Sequence, residues 1–185
     1  MFLFVGLGNK GPKFQNNRHN TGFLFIDYLV KKYGFLKTNN KLRCILYKGN
    51  ILNNDILLSK PETMMNLSGE SVRLVKNFYK IKQENIFVFH DELDLNIGKI
   101  KFKFGGGSAG HNGIKNIDKH IGNEYYRIRI GVSNKNTYSQ VDNFVLSDFK
   151  TEEKILLENK ITLIDKNIMF VFKKDINNFM NEINK

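Results

Sequence analysis

Continuous apolar runs and helix-spaced apolar residues alternate along the chain, and this pattern predicts an α/β fold. Phe2 to Val5 and Ile86 to Phe89 are unbroken apolar runs, which is typical of strands buried inside a sheet. From Thr21 onward, apolar residues recur at helical spacing until Gly34. We therefore expect a buried strand, a polar loop and then a first helix that ends at Gly34.

Further elements follow the same two periodicities. The segments Arg43 to Tyr47 and Ile56 to Ser59 predict strands around a turn at Gly49-Asn50 and the polar cluster Asn53-Asn54-Asp55. A second helix is predicted beyond Gly69. Gln140 to Leu146 is interpreted as a last strand. A helical C-terminal region is predicted to start at Thr151 and to be broken near 173–178.

Strict alternation places basic residues on one face of two predicted strands. Lys99, Lys101 and Lys103 share one face of the first strand, and Arg127 and Arg129 share a face of the second. If the strands are neighbours, these side chains form a basic stripe suited to phosphate. The alternative is that the lysines only solvate an outer face or protect a strand edge.

Composition narrows the class of protein. A length of 185 residues and a hydrophobic content of 41% suit one globular domain, expected over residues 1–185, and no apolar run is long enough to span a bilayer. The first residues lack the basic flank of a signal peptide, so a cytoplasmic protein is expected. Its single cysteine, Cys44, is interpreted as a small buried hydrophobe.

The net charge of +11 favours a polyanionic partner, nucleic acid above all. A competing explanation is compositional drift, because Lys, Asn, Ile and Phe are the residues of A/T-rich codons. The positions of the charges have to decide between the two.

Polar residues that could carry chemistry lie where the predicted strands and helices meet. His19 lies between a polar loop and the first helix, and an imidazole there can titrate near neutral pH. Asp91 follows the second buried strand, at the end of the sheet where ligands bind, and its carboxylate could orient an imidazole. Simpler roles as a helix cap or loop acid are open for both. Asn66 and Asn112 precede predicted helices, where they could also be local caps.

The glycine-rich segments do not predict a dinucleotide site. Gly6 to Gly11 matches the G-x-G-x-x-G pattern, but Pro12 and a polar stretch delay the next helix. The segment Gly105 to Gly113 offers backbone N–H groups and close approach to a ligand, without the Gly-Lys-Ser/Thr of a P-loop. Four histidines and no paired-cysteine spacing make a dedicated metal site unexpected.

Taken together, these segments resemble the bacterial peptidyl-tRNA hydrolase family. The matching motifs occur in family order from residue 2 to about residue 149: Val5-Gly6-Leu7-Gly8-Asn9, Arg18-His19-Asn20-Thr21-Gly22, Met65-Asn66-Leu67-Ser68-Gly69, His90-Asp91-Glu92-Leu93-Asp94, Gly105-Gly106-Gly107, Gly110-His111-Asn112-Gly113 and Arg127-Ile128-Arg129-Ile130-Gly131.

The resemblance implies a single-domain, three-layer α/β sandwich with a twisted, mixed and mostly parallel sheet, and with the helical region at about 151–185 as part of the domain. It implies a monomeric enzyme, without metal or cofactor, that hydrolyses the ester between a peptide and the 3′-terminal ribose of tRNA and so recycles tRNA in translation quality control. It assigns His19 as general base, Asp91 as the acid that orients it and Asn9 as the residue that distinguishes N-blocked substrates. The substrate-binding positions that it implies are Phe14, Asn20, Met64, Met65, Asn66, Asn112, Lys103 and Arg129, the last two at the 5′-phosphate of tRNA.

The chain departs from the family pattern at several positions. Lys10 stands where proline is common, Phe14 where tyrosine is common, and Ser108-Ala109 where many members have His-Gly. The loss of a phenolic hydroxyl leaves Phe14 only stacking or packing.

Two other classes of protein fit parts of the sequence. One is a non-catalytic RNA-binding relative of the same fold, which the presence of His19, Asp91 and the three asparagines disfavours. The other is a dinucleotide-dependent oxidoreductase, which NAD binding would reveal. The sequence offers no plausible cysteine nucleophile, so direct attack by water is the expected chemistry.

Overall fold

Seven strands of the chain form a single mixed sheet in a computed structural model that describes residues 1–39, 41–134 and 141–185. The strands are β1 (Phe2–Gly6), β2 (Leu36–Lys37), β3 (Cys44–Ile51), β4 (Asn54–Pro61), β5 (Ile86–Asn96), β6 (Ile100–Phe104) and β7 (Tyr126–Ser133). Their order across the sheet is β2-β3-β4-β1-β5-β7-β6. The four central strands are parallel, and the strands at both edges pair antiparallel.

The helices connect and follow these strands. They are α1 (Thr21–Tyr33), α2 (Ser68–Phe78), α3 (Asn112–Ile121), α4 (Val141–Val145), α5 (Thr151–Lys166), α6 (Ile168–Phe172) and α7 (Ile176–Ile183). Helix α1 ends as predicted, because Gly34 takes the left-handed conformation (φ 67°) that closes a helix. The C-terminal region is helical and is interrupted after Phe172, also as predicted.

Alternating side chains of β1 contribute to two separate apolar cores. Phe4 packs with residues of α1 and of the C-terminal helices, such as Phe25 and Ile164. Leu3 and Val5 pack on the opposite face with residues of α2 and α3. Helices therefore cover both faces of the sheet, and the three-layer α/β fold class expected from the sequence is confirmed. In the described part of the chain, no helix combines the length and the apolarity needed to cross a membrane.

Two local predictions are wrong. The β3–β4 hairpin turns at Leu52-Asn53, both with positive φ, so Asn53 of the predicted cluster lies in the turn, whereas Gly49 and Asn50 lie within β3. The proposed last strand is helical over Val141–Val145, and this short helix lies against the turn Arg18–Asn20 that precedes α1. Gln140 lies outside the described residues. A short segment in which apolar and polar residues are mixed does not separate a short helix from a strand.

Candidate active site

His19 is brought to the sheet by a close crossing of backbones. It lies in a short 3₁₀ turn, Arg18–Asn20, directly before α1. A Cβ on Gly22 would lie 2.2 Å from the carbonyl oxygen of Phe89, and a Cβ on Gly6 would lie 2.3 Å from that of Gly22. Only glycine allows this approach, so the Arg-His-Asn-Thr-Gly motif seats His19 against the ends of β1 and β5.

Asp91 lies inside a strand, whereas the sequence placed it just beyond one. Strand β5 continues to Asn96, and Asp91 pairs with Ile130 of β7. The neighbouring β1 ends at Gly6, opposite Phe89. Asp91 therefore stands beyond the end of β1, in the space that His19 enters, on a backbone fixed by the strand pair.

His19 and Asp91 form a buried hydrogen-bonded pair. His19 Nδ1 lies 3.0 Å from Asp91 Oδ1 and 2.9 Å from Oδ2. Burial raises the pKa of the Asp91 carboxyl, but the imidazoles of His19 and His111, which both hydrogen-bond to it, outweigh burial, so the pKa is well below its usual value. Asp91 is therefore a carboxylate, and it accepts a hydrogen bond from the Nδ1–H group of His19. This orientation directs the Nε2 atom of His19 away from Asp91.

His111 is a second partner of Asp91 to which the sequence assigned no role. Its Nε2 lies 3.0 Å from Asp91 Oδ1, and its Nδ1 accepts the backbone N–H groups of Gly113 (3.1 Å) and Ile114 (3.3 Å) at the start of α3. An acceptor at Nδ1 fixes the neutral tautomer with hydrogen on Nε2, which then donates to Asp91. Histidine is not a favoured N-cap residue, and its presence there was the available signal.

Asn9 is held by two neighbours. Asn20 accepts from the backbone N–H of Asn9 (2.7 Å) and donates to its carbonyl oxygen (3.0 Å). The backbone N–H of Met65 donates to Asn9 Oδ1 at 3.2 Å. Because the amide oxygen faces a donor, the Nδ2 group of Asn9 is the one that can donate to a ligand.

Two adjoining cavities contain most of the predicted site residues. The first, called the dyad cavity, has about 100 Å³ and is lined by His19, Asp91, Glu92, Leu93, Ala109, Gly110, His111, Asn112 and Val145. The second, called the asparagine cavity, has about 310 Å³ and is lined by Asn9, His19, Met64, Met65, Asn66, Asn112, Val145 and Leu146. Met65 is buried, while Met64 is exposed at the rim. Val145 and Leu146 belong to the segment for which a last strand was wrongly predicted.

Arg18 anchors that segment beside His19. Its guanidinium is buried, donates to Glu153 Oε2 (2.5 Å) and to Ser147 Oγ (2.8 Å), and lies 4.5 Å from the ring centre of Phe144. Burial raises the pKa of Glu153, but a backbone N–H and the guanidinium outweigh it and lower the pKa overall. The chain from α4 to the start of α5 is thus fixed to the residue that precedes His19.

The basic stripe is present, with one correction. Strands β6 and β7 are neighbours, with Lys103 opposite Arg127 and Lys101 opposite Arg129. Arg127 was expected on an exposed face but is fully buried, where it donates to the carbonyl oxygens of Gly105 and Gly107. Alternation along a strand predicts which face a side chain lies on, but it does not predict whether another part of the chain covers that face. Arg127 therefore shapes the glycine loop, while Lys103 and Arg129 remain partly accessible.

Lys103 and Arg129 differ in their surroundings. A Cβ on Gly106 would lie 2.3 Å from Lys103 Nζ, so glycine lets the loop cover this amine. Burial and the nearby Arg127 and Arg129 lower the pKa of Lys103. Arg129 Nε donates to Glu92 Oε2 at 2.7 Å, which connects the basic residues to the lining of the dyad cavity.

Two other predicted residues lie apart from these cavities. Phe14 is half-buried at the end of a 3₁₀ turn, with Lys13 Nζ 4.8 Å from its ring centre, and it lines neither the dyad cavity nor the asparagine cavity. Cys44 is buried as expected, and burial raises the pKa of its thiol, which disfavours a role as nucleophile.

The same cluster contains groups of the type that ligate metals. One ligand atom each from His19, Asp91 and His111 lies within 4.8 Å of the others. These atoms hydrogen-bond to one another, so an ion would have to displace both contacts to Asp91. A chelator control belongs in any assay of this site.

The fold and the site define a class: an α/β protein with a buried carboxylate–imidazole pair beyond the end of a central parallel strand, next to cavities lined with amides. Such a pair suits proton transfer from water.

Comparisons with known proteins identify the family. A profile of the peptidyl-tRNA hydrolase family matches residues 3–185. The peptidyl-tRNA hydrolase of Pelagibacter ubique (strain HTCC1062) is 48% identical over 94% of both chains, and that of Rickettsia prowazekii (strain Madrid E) is 43% identical over 99% of this chain and 100% of the relative. The crystal structure of peptidyl-tRNA hydrolase from Acinetobacter baumannii superposes with a TM-score of 0.92 at 39% identity, covering 100% of this chain and 94% of that one. The chain belongs to the peptidyl-tRNA hydrolase family and is a hydrolase that acts on peptidyl-tRNA.

Proposed function

We propose that His19 is the general base of this hydrolysis and that Asp91 orients it. Three features support the assignment: the 2.9 Å contact to Asp91, the position of His19 in both cavities, and the acidity of the carboxyl partner. His19 Nε2 takes a proton from water while the water oxygen attacks the ester carbonyl carbon. The bond to the ribose oxygen then breaks, and the imidazolium returns the proton to that leaving oxygen.

The amides around His19 hold the reacting group in this proposal. Asn9 Nδ2 donates to the acyl part of the substrate and distinguishes N-blocked from free aminoacyl groups, and Asn20 fixes its backbone. Asn66 and Asn112 line the same cavity and contact the peptide backbone, with Met64 and Met65 supplying apolar surface. Amides carry no charge, so they bind the substrate without a large effect on the pKa of the imidazole.

The basic residues bind the tRNA in this proposal. Lys103 and Arg129 contact the 5′-phosphate, and Phe14 packs against the RNA beyond the cavities. Partly exposed cations on adjacent strands, joined to the dyad cavity through Glu92, support this placement. We further propose a cytoplasmic monomer in which α5 to α7 belong to one domain with the sheet, since they pack on its core.

His19→Ala tests the catalytic assignment. Turnover of N-acetylated aminoacyl-tRNA should fall by about 10²- to 10⁴-fold, because general-base action of this kind is lost, while tRNA binding persists. His120→Ala is the matched control, because this histidine of α3 lines neither cavity. Assays in the presence of a chelator, with free aminoacyl-tRNA as second substrate, separate metal effects and N-block selectivity. Near-normal turnover of His19→Ala would refute the assignment.

Arg129→Gln tests the tRNA-binding assignment. Loss of one phosphate contact should weaken binding and lower the slope of log K against log salt by about one unit. Lys48→Gln provides the control, because Lys48 is an exposed cation on β3, toward the opposite edge of the sheet. An unchanged slope for Arg129→Gln would return this arginine to a purely structural role beside Glu92.

A further inference from the structure

A third cavity continues the site beyond Asn9. This lysine cavity, named for Lys10 and Lys60, has about 470 Å³, within the range of ligand pockets. Asn9 lines both it and the asparagine cavity, and Asn20, which fixes the Asn9 backbone, also lines it. Asn9 is therefore part of the wall of both cavities.

The three cavities form a series with a direction. The dyad and asparagine cavities share His19, Asn112 and Val145, and the asparagine and lysine cavities share Asn9. Glu92, in the lining of the dyad cavity, holds Arg129, to which we assign the tRNA phosphate. If tRNA approaches from that end and the ester lies at His19, the peptide has to extend the other way.

We propose that the lysine cavity binds the residue of the peptide that precedes the esterified amino acid, and that it selects that residue by charge. This rests on the proposed function, because it takes its direction from the assignment of Arg129. The residue that precedes the esterified amino acid is its direct neighbour in the peptide, about 3.3–3.6 Å further along an extended chain, and in this proposal it is the one placed beyond Asn9.

Charged side chains of both signs line this cavity. Lys10 Nζ lies 3.6 Å from Glu62 Oε1, and Lys60 Nζ lies 2.5 Å from Asp27 Oδ1. The Lys60 side chain is largely buried, 5.2 Å from the ring centre of Phe23, so it is a fixed part of the wall. Lys10 and Glu62 are both exposed at the mouth, where either can exchange its partner for a substrate charge.

One member of the pair, Lys10, departs from the family pattern that the sequence resembles. Lys10 stands where proline is common, and proline carries no charge. Lys10 therefore adds a cation at the entrance of the cavity, and Glu62 supplies the opposing anion. Changing either one alters the charge of the entrance without touching His19 or Asp91.

Charge reversal at the mouth tests the proposal. The substrates are N-acetyl-aspartyl-alanyl-tRNA and N-acetyl-lysyl-alanyl-tRNA, with N-acetyl-alanyl-tRNA as the short reference that lacks the preceding residue. The readout is the ratio of kcat/KM for the aspartyl over the lysyl substrate. Lys10→Glu should lower this ratio and Glu62→Lys should raise it, each by about two- to fivefold, as expected for a partly solvated charge pair.

Lys13→Glu is the matched control, because it makes the same charge change in the same loop outside the lining of the cavity. It should leave the ratio unchanged. The double variant Lys10→Glu/Glu62→Lys restores the net charge and should bring the ratio back toward its original value. Unchanged ratios in both single variants, or an equal shift in Lys13→Glu, would overturn the proposal. The His19 and Arg129 assignments are tested separately. His19→Ala should change turnover, and Arg129→Gln should change tRNA binding, to the same extent for all three substrates, so their failure does not alter the charge ratio measured here.

Discussion

Arg18 and His19 are adjacent in the chain, yet each faces a buried carboxylate in a different part of the fold. Arg18 lies 2.5 Å from Glu153 at the start of α5, and His19 lies 2.9 Å from Asp91 in β5. Burial raises the pKa of both carboxyls, but neighbouring donors and cations outweigh it, so both pKa values are lowered.

The difference between the two pairs lies in the cation. A guanidinium keeps its proton at every pH a protein meets, so the Arg18–Glu153 pair can only hold structure. An imidazole gains and loses a proton near neutral pH, so the His19–Asp91 pair can also take part in a reaction. Similar contacts therefore give an anchor in one case and a proton acceptor in the other.

Removing the anchor should give the largest effect on stability. Arg18→Met leaves Glu153 as a buried, uncompensated charge, and loss of one partner of a buried pair costs about 3–5 kcal/mol in the free energy of unfolding. Urea denaturation measures this. Arg43→Met is the control, because its partner Glu70 and Arg43 itself are far more exposed, and about 1 kcal/mol or less is expected there. Equal losses in the two variants would contradict the anchor.

The second partner of Asp91 gives an intermediate effect. His111→Ala removes both the N-cap of α3 and the hydrogen bond to Asp91. His111→Asn should recover the cap, which is worth about 1 kcal/mol of stability, but not the donor. Loss of one hydrogen bond to a charged group is expected to lower turnover by about tenfold in both variants. Turnover restored by asparagine would show that His111 acts only as a cap.

The smallest expected effect is a difference in acid stability between the original protein and Glu153→Gln. The pKa of Glu153 is lowered in the folded state from 4.5, so its contribution to stability is present above that pH and is lost as pH falls through the folded value. Glu153→Gln removes this group, and stability should then decline less steeply between pH 7 and pH 3, by at most about 1.4 kcal/mol per pH unit. A slope as steep as in the original protein would exclude Glu153 as a contributor. The pKa of Asp91 is also lowered in the folded state, but Asp91 is present in both the original protein and Glu153→Gln, so it does not contribute to the difference between them.

Local signals in the sequence were sufficient for much of the fold. Gly34 marked the end of α1, and the apolar runs of β1 and β5 marked the centre of the sheet. The end of β5 was missed because His90, Asp91 and Glu92 are polar, although strand pairing with β7 continues through them. Polar residues therefore do not mark the end of a strand where the strand is buried and its backbone pairing continues.

The site depended on contacts that periodicity does not carry. The resemblance to the family predicted that Asp91 orients His19. The structure shows the contact between the two side chains, and their catalytic roles are proposals. The partner of Arg18 lies 135 residues away, and the burial of Arg127 depends on how the glycine loop folds back over β7. Neither follows from a local pattern of residues.

The distance along the chain between Arg18 and Glu153 has a consequence for synthesis. The anchor beside His19 can close only after α5 has emerged from the ribosome, when more than 150 residues have been made. Until its release, each growing copy of this hydrolase is itself a peptide esterified to tRNA, the kind of bond that the finished protein cleaves. Chains stalled before Glu153 therefore lack the anchor beside His19, and we expect their turnover to be lower than that of the full-length hydrolase.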